Sequence, residues 1–447
     1  MNDKSLELNF LEENRDAYLK NEKFTILRHA LSANPFDNVF ASKDHANDTD
    51  FTFSIDVKTL PATDQQSSGR CWIFSACNVI REIIAKKCNI KGQFELSENY
   101  IAYFDKLEKY NYFANALIEL LLEGKDHDDR TVSYLLAGVG DGGQWQMFVE
   151  LVKKYGVMPK ANFPENAQSG ATAGSRNLAN ATLRKFAADI YHAYTKNHDV
   201  NELYEIKKEY NKKIFNLFSS SFGVPPQTFD FEWVDQNDEY HIEKGLTPKA
   251  FFEKYIGKEI DEYVSLIHAP TKDKKYNHTY ALKYIGNVVE GKDITHLNID
   301  FDRLEELIIK QLKDNEIVWF GSDVGKFRNR DLGVWDDKGY DYKSALDLDV
   351  VFDKADMLDF RQSSMGHAMC ITGVNLKDNE PIRWKIENSW GTTGGKEGYY
   401  VMSESFFRSF VFQVAIKKKY LNEAELKALK EEPEILPPWD PFGTLAQ

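Results

Sequence analysis

Cysteine is scarce: the 447-residue chain has four, Cys71, Cys77, Cys88 and Cys370. So few in so long a chain exclude a disulfide scaffold, and no two stand at the Cys-x-x-Cys spacing of a zinc site. No stretch approaches ~18 uninterrupted apolar residues, so a membrane-spanning helix is not expected. The opening residues, Met1-Asn2-Asp3-Lys4 and onward, lack the apolar core of a secretory signal. Reduced thiols in a cytoplasmic protein are the expectation, three of them serving as small buried apolar residues. Basic charge is also short, with 56 Lys and Arg against 70 Asp and Glu. The resulting net charge of −14 favours solubility and opposes binding to nucleic acid. No internal repeat of solenoid length recurs.

Apolar material is plentiful, at 42% with 13% aromatic, and the length predicts two or three structural units. Alternation over residues 51–55 predicts a strand. The polar run 63–69 then stops at an apolar helix that sets Ile73, Ala76, Val79, Ile80, Ile83 and Ile84 on one broad face, with Cys71 at its start. Two more helices are predicted over 100–107 and 114–122. A glycine-rich loop at 138–143 follows, then a helix from about Gln144 to Tyr155 that Gly156 and Pro159 end. Residues 170–315 carry charged, helix-forming runs broken by Pro225-Pro226 and read as a mostly helical insertion. Strands are predicted at 317–321, 368–374, 383–388, 398–402 and 410–416. Helices early and strands late predict an α+β fold.

A cysteine becomes a nucleophile when its thiolate is stabilised, and the unpaired N–H groups of a helix start do this. Cys71 occupies such a position, with Ser67-Ser68-Gly69 offering cap and turn chemistry before it. Taken alone, the same cysteine reads rather as an inert thiol on an apolar helix, since free cysteine is among the most buried residue types.

Its neighbours decide between the two. The segment Gln65-Gln66-Ser67-Ser68-Gly69-Arg70-Cys71-Trp72 resembles the nucleophile region of papain-like cysteine peptidases. That resemblance makes Gln65 the oxyanion donor, with Gln66 as the adjacent alternative. Ser68 stands where secreted members carry a disulfide cysteine, and Arg70 where they carry a small residue. Met365-Gly366-His367-Ala368 resembles the family's histidine strand, and Glu387-Asn388-Ser389-Trp390-Gly391 its asparagine block. The implied roles are His367 as base and acid, Asn388 as the side chain fixing its tautomer, and Trp390 as a shield. Trp72 is a further supporting residue, and Asp141-Gly142-Gly143-Gln144-Trp145 resembles the substrate loop, with Gly142 and Gly143 contacting substrate backbone.

His367 lies 296 residues after Cys71 and Asn388 lies 317 after it. Simple papain-like enzymes need roughly 130–150. The long interval, with Ser-Ser-Gly-Arg-Cys-Trp and Gly-Gly-Gln-Trp, resembles the bleomycin hydrolase and bacterial aminopeptidase C family. The implied plan is a papain-like two-lobed core: an N-terminal helical arm (1–50), a helical lobe with the nucleophile (51–169), the mostly helical insertion (170–315), a β-rich lobe with His367 and Asn388 (316–420) and a tail (421–447). The resemblance further implies a homohexamer, peptide substrates with a free amino terminus, and no metal or organic cofactor. It also implies a C-terminal tail in the active-site cleft whose carboxylate holds the substrate's amino group. Removal of Gln447 would leave Ala446 as the terminal residue. Without the resemblance, the Pro-rich tail reads as extended chain. An endopeptidase with the same triad, a nucleic-acid-binding oligomer and a non-catalytic descendant are the alternatives.

Overall fold

The computed structural model describes residues 5–42, 44 and 49–446. The helix that begins the candidate site runs Cys71–Lys87, and all but a few of its residues are buried. It packs on one side against the helices Glu98–Leu122 and Trp145–Tyr155, and on the other against the strand His367–Lys377. Chain segments almost 300 residues apart in sequence therefore meet along one seam.

Glu98–Leu122 is a single helix where two were expected. Residues 108–113 continue the helix between them, and its polar groups are buried and paired: Lys109 meets Asp105 at 3.2 Å one turn back, and Lys106 meets Asp141 at 2.6 Å. Ser97 caps the helix by accepting the N–H of Tyr100.

Twelve strands form one sheet. Its centre is His367–Lys377, flanked by Val318–Ser322 and Glu380–Glu387, with Val411–Lys417 beyond Val318–Ser322. Val318–Ser322 and Val411–Lys417 are buried at every position, which explains why they are mostly apolar without alternation; the buried Gln413 donates to Ser265 Oγ at 2.8 Å. The expected strand at 51–55 shrinks to Ile55–Asp56, paired with Val374 and Gly373.

The region after residue 170 has two characters. The helices Ala173–Asn197 and Val200–Phe222 pack on each other and on Glu98–Leu122. Beyond them the chain forms the hairpin Phe229–Val234 and Tyr240–Leu246, and then three strands, Tyr263–Ile267, His278–Leu282 and Ile294–Asn298, that extend the main sheet. These strands are short and follow charged, helix-like sequence, so local pattern conceals them. Among the described residues no helix is long and apolar enough to cross a membrane.

Candidate active site

Cys71 is the first residue of its helix and is only 4% exposed. No side chain caps this helix. The expected cap from the serine pair fails because Ser68 Oγ is used elsewhere: it donates to the carbonyl of Gln65 at 2.6 Å and accepts from Arg70 Nε at 2.9 Å. Arg70, fully buried, forms a bidentate pair with Glu165 at 3.0 and 2.8 Å. A polar staple thus holds the segment before the nucleophile, and the first-turn N–H groups stay uncapped for a negative charge.

The sulfur of Cys71 accepts the backbone N–H of Ala368 at 3.4 Å. Ala368 follows His367 at the start of its strand, so helix and strand meet at the two residues chosen from sequence. His367 Nε2 lies 2.9 Å from Asn388 Oδ1, and its ring stacks on Trp390 with centroids 5.0 Å apart. Asn388 Oδ1 also accepts the N–H of Ser389 at 2.8 Å. That second bond identifies the oxygen of the amide, so His367 Nε2 carries the proton and Nδ1 keeps its lone pair.

Gln65 is buried and Gln66 is exposed. Gln65 Nε2 donates to the carbonyl of Ser68 at 2.5 Å, and its Oε1 accepts from Ser389 Oγ at 2.6 Å. One of its two amide hydrogens remains for another acceptor. Gln66 adopts a positive φ of 53° and turns away to Gly170, where a Cβ would strike its Oε1.

Gly142 and Gly143 are both buried. The Gly142 carbonyl accepts from Lys109 Nζ, and a Cβ on Gly143 would lie 2.3 Å from the Trp72 ring. Glycine at 143 is therefore required by Trp72, which in turn donates from Nε1 to the Asp141 carbonyl at 2.8 Å.

The tail is docked rather than free. Glu434–Leu436 pairs in parallel with Tyr280–Leu282, and the Arg130 guanidinium lies 3.9 Å from the centre of the Trp439 ring. Lys274 and Asp440, both buried, pair at 2.9 Å. The final turn, Pro441–Ala446, is a 3-10 helix with Phe442, Gly443, Leu445 and Ala446 buried. Thr444 Oγ1 donates to the Met365 carbonyl at 2.9 Å, two residues before His367. Leu445 packs over Gly321, whose cross-strand partner is Ala368. Gln447 lies outside the described residues.

The model of the Peptidase C1-like family matches residues 5–443. The chain belongs to that family. It is 41% identical over 447 residues to "Aminopeptidase C" of Lactobacillus delbrueckii subsp. lactis, covering 99% of each. It is 36% identical over 404 residues to "Bleomycin hydrolase" of Mus musculus, covering 89% of each. The crystal structure of PepW from Lactobacillus rhamnosis superposes with a TM-score of 0.95 at 38% identity, covering 99% of each chain.

In this Peptidase C1-like protein, burial sets the electrostatics of the closed cleft. It pushes the Cys71 thiol up to about 11, against the opposing pull of the N–H groups of Ala368, Trp72 and Cys71. It pushes His367 down to about 4, opposed by the Asn388 hydrogen bond and reinforced by the Arg328 cation. Both groups are neutral near pH 7 in this conformation.

Several residues at the site escaped the sequence reading. Asp141 is held far below the usual carboxylate range, despite burial, by Lys106, Thr172 and Arg176. It links the glycine loop to the Cys71 helix through Gly69 and Trp72. Gln144 donates from Nε2 to the Phe442 carbonyl at 2.6 Å. Both lay within the quoted loop motif, where glycine drew the attention. Among the described residues one cluster has metal-ligand chemistry, Asp235, Glu239 and His241, on the hairpin. There Asp235 accepts the turn N–H groups of Asn237 and Glu239, and its other oxygen bonds His241, so the turn itself explains it.

Proposed function

We propose that this cysteine aminopeptidase uses Cys71 as nucleophile, His367 as base and acid, Asn388 as the orienting group, and Gln65 with the Cys71 N–H as the oxyanion site. The Cys71 thiol gives its proton to His367 Nδ1, and the sulfur attacks the first peptide carbonyl. The carbonyl oxygen gains negative charge and is held by the remaining Gln65 amide hydrogen and the uncapped Cys71 N–H. Collapse breaks the C–N bond as His367 returns its proton to the leaving amine. His367 then takes a proton from water, whose oxygen attacks the thioester and releases the acid. No step calls for a metal or an organic cofactor. Trp390 covers the His367–Asn388 bond, Trp72 carries the loop, and Gly142 and Gly143 form the wall along the substrate backbone.

The observation that carries the amino-terminal preference is the burial of Leu445 and Ala446 beside the strand of His367. A carboxylate near the end of this turn would block the far side of the cleft and attract an ammonium group. Gln447 is trimmed in this reading, leaving Ala446 to carry the carboxylate; intact mass of active protein tests that step. Equal turnover of amino-free and amino-blocked peptides would favour the endopeptidase reading instead. Loss of turnover in a folded Cys71→Ala variant is the expected outcome for the nucleophile.

The assembly we propose is a homohexamer in the cytoplasm, acting on peptides and not on nucleic acid. The helices Leu8–Lys20 and Glu22–Ala33 have no buried residue and leave Leu8, Phe10, Leu11 and Ile26 exposed, which suits an arm that packs on another copy. Sedimentation analysis tests it. A gel shift at physiological salt tests the nucleic-acid alternative, against which the net charge of −14 argues.

A further inference from the structure

We infer that Gln144 is a positioning residue: its hydrogen bond to the tail fixes how far the C-terminus reaches and so which end of a peptide the site accepts. This rests on the tail reading above and adds the device that sets it.

Gln144 sits at the N-cap of the helix Trp145–Tyr155, yet its side chain makes no cap bond. Gln is a poor cap former, and Ser, Thr, Asp or Asn would serve the helix better. Its side chain is instead fully buried and crosses to the tail, where Nε2 donates to the Phe442 carbonyl at 2.6 Å. The Oε1 atom is buried without a hydrogen-bond partner, a cost tolerated for that single bond. A local rule broken in this way marks a residue serving something other than its own helix.

Its place in the chain gives the bond its reach. Gly143, the preceding residue, packs on Trp72, and Trp72 adjoins Cys71. Gln144 therefore ties the tail to the nucleophile through a few rigid, buried groups. The outer anchors, Trp439 on Arg130 and Asp440 on Lys274, both precede Phe442 and hold the tail without fixing its end. The final turn is held from the helical wall by Gln144 and from the sheet wall by Thr444 on Met365. Loss of the Gln144 bond leaves the tail docked but its last turn loose, weakening the grip on an amino terminus and opening the cleft to longer chains.

The experiment uses full-length Gln144→Leu and Gln144→Met beside a chain ending at Pro441. Each is assayed on one peptide with a free amino terminus and on its N-acetylated form. Both Gln144 variants are expected to raise KM for the free peptide about tenfold, as loss of one buried hydrogen bond implies. Their kcat should stay near wild type, and kcat/KM on the acetylated peptide should rise. The shortened chain should shift the same ratio further. If the shortened chain shifts the ratio and the Gln144 variants do not, or if they lower kcat at an unaltered ratio, the inference is overturned. If the shortened chain keeps the wild-type ratio, the tail reading itself is overturned. Should Gln144→Leu fail to fold, Gln144→Met, which is close in length and has no hydrogen to donate to the carbonyl, decides alone.

Discussion

Asn388 Oδ1 stands 2.9 Å from His367 Nε2 while accepting the N–H of its own neighbour Ser389 at 2.8 Å. The backbone thereby orients the amide, and the amide orients the imidazole. Asn388→Ala should lower kcat by about 10- to 100-fold, the worth of a hydrogen bond to a charged ring. KM should change little. Steady-state kinetics on a free-amino peptide read the split.

Arg328 faces Trp390 from 4.8 Å, and its charge opposes protonation of His367. Removing a cation makes the imidazolium easier to form and harder to lose. His367 must be neutral to act as base, so in Arg328→Gln the acid limb of kcat/KM should move to higher pH, by less than about one unit. A pH–rate profile measures it, and a downward move contradicts the assignment.

Glu387, next to Asn388 in sequence, is buried and pairs with Arg81 at 2.9 Å. Burial pushes its carboxyl up to about 7, with Arg81 opposing. A raised carboxyl binds its proton more tightly in the folded chain, so this contribution to stability is full at low pH and is lost as pH rises through about 7. Arg81→Met removes the cation bonded to it and should destabilise the protein by about 3–5 kcal/mol at pH 8. At pH 5 the carboxyl is protonated and the loss should be clearly smaller. Urea unfolding at the two pH values makes the comparison.

Gly143 has no room for a methyl group, because a Cβ would fall 2.3–2.6 Å from three atoms of the Trp72 ring. Trp72 is fully buried and cannot retreat. Gly143→Ala should cost about 1–3 kcal/mol from overpacking and lower kcat/KM through displacement of the loop. Thermal melting and kinetics together test both parts.

The elements nearest Cys71 were readable because they follow strong local rules. The Cys71 helix starts where expected, the helix Trp145–Tyr155 keeps its expected limits to within a residue, and the five strands expected after residue 316 lie within a residue of theirs, apart from the longer His367–Lys377 and Glu380–Glu387. The single helix Glu98–Leu122 was hidden because Asp105, Lys106 and Lys109 find partners only after folding. The strands Tyr263–Ile267, His278–Leu282 and Ile294–Asn298 were hidden because their neighbours in the sheet include segments as distant as Val411–Lys417 and Glu434–Leu436.

Residue type and order alone determined the family, the thiol chemistry and the choice of Cys71, His367 and Asn388, since reactive groups are chemical identities that motifs preserve. Which of Gln65 and Gln66 is buried, which nitrogen of His367 holds the proton, why Gly143 is glycine, and where the tail docks were decided only by tertiary structure. Each depends on a distance between groups far apart in the chain, and hydrogen bonds and packing act over a few ångströms of space whatever the separation in sequence.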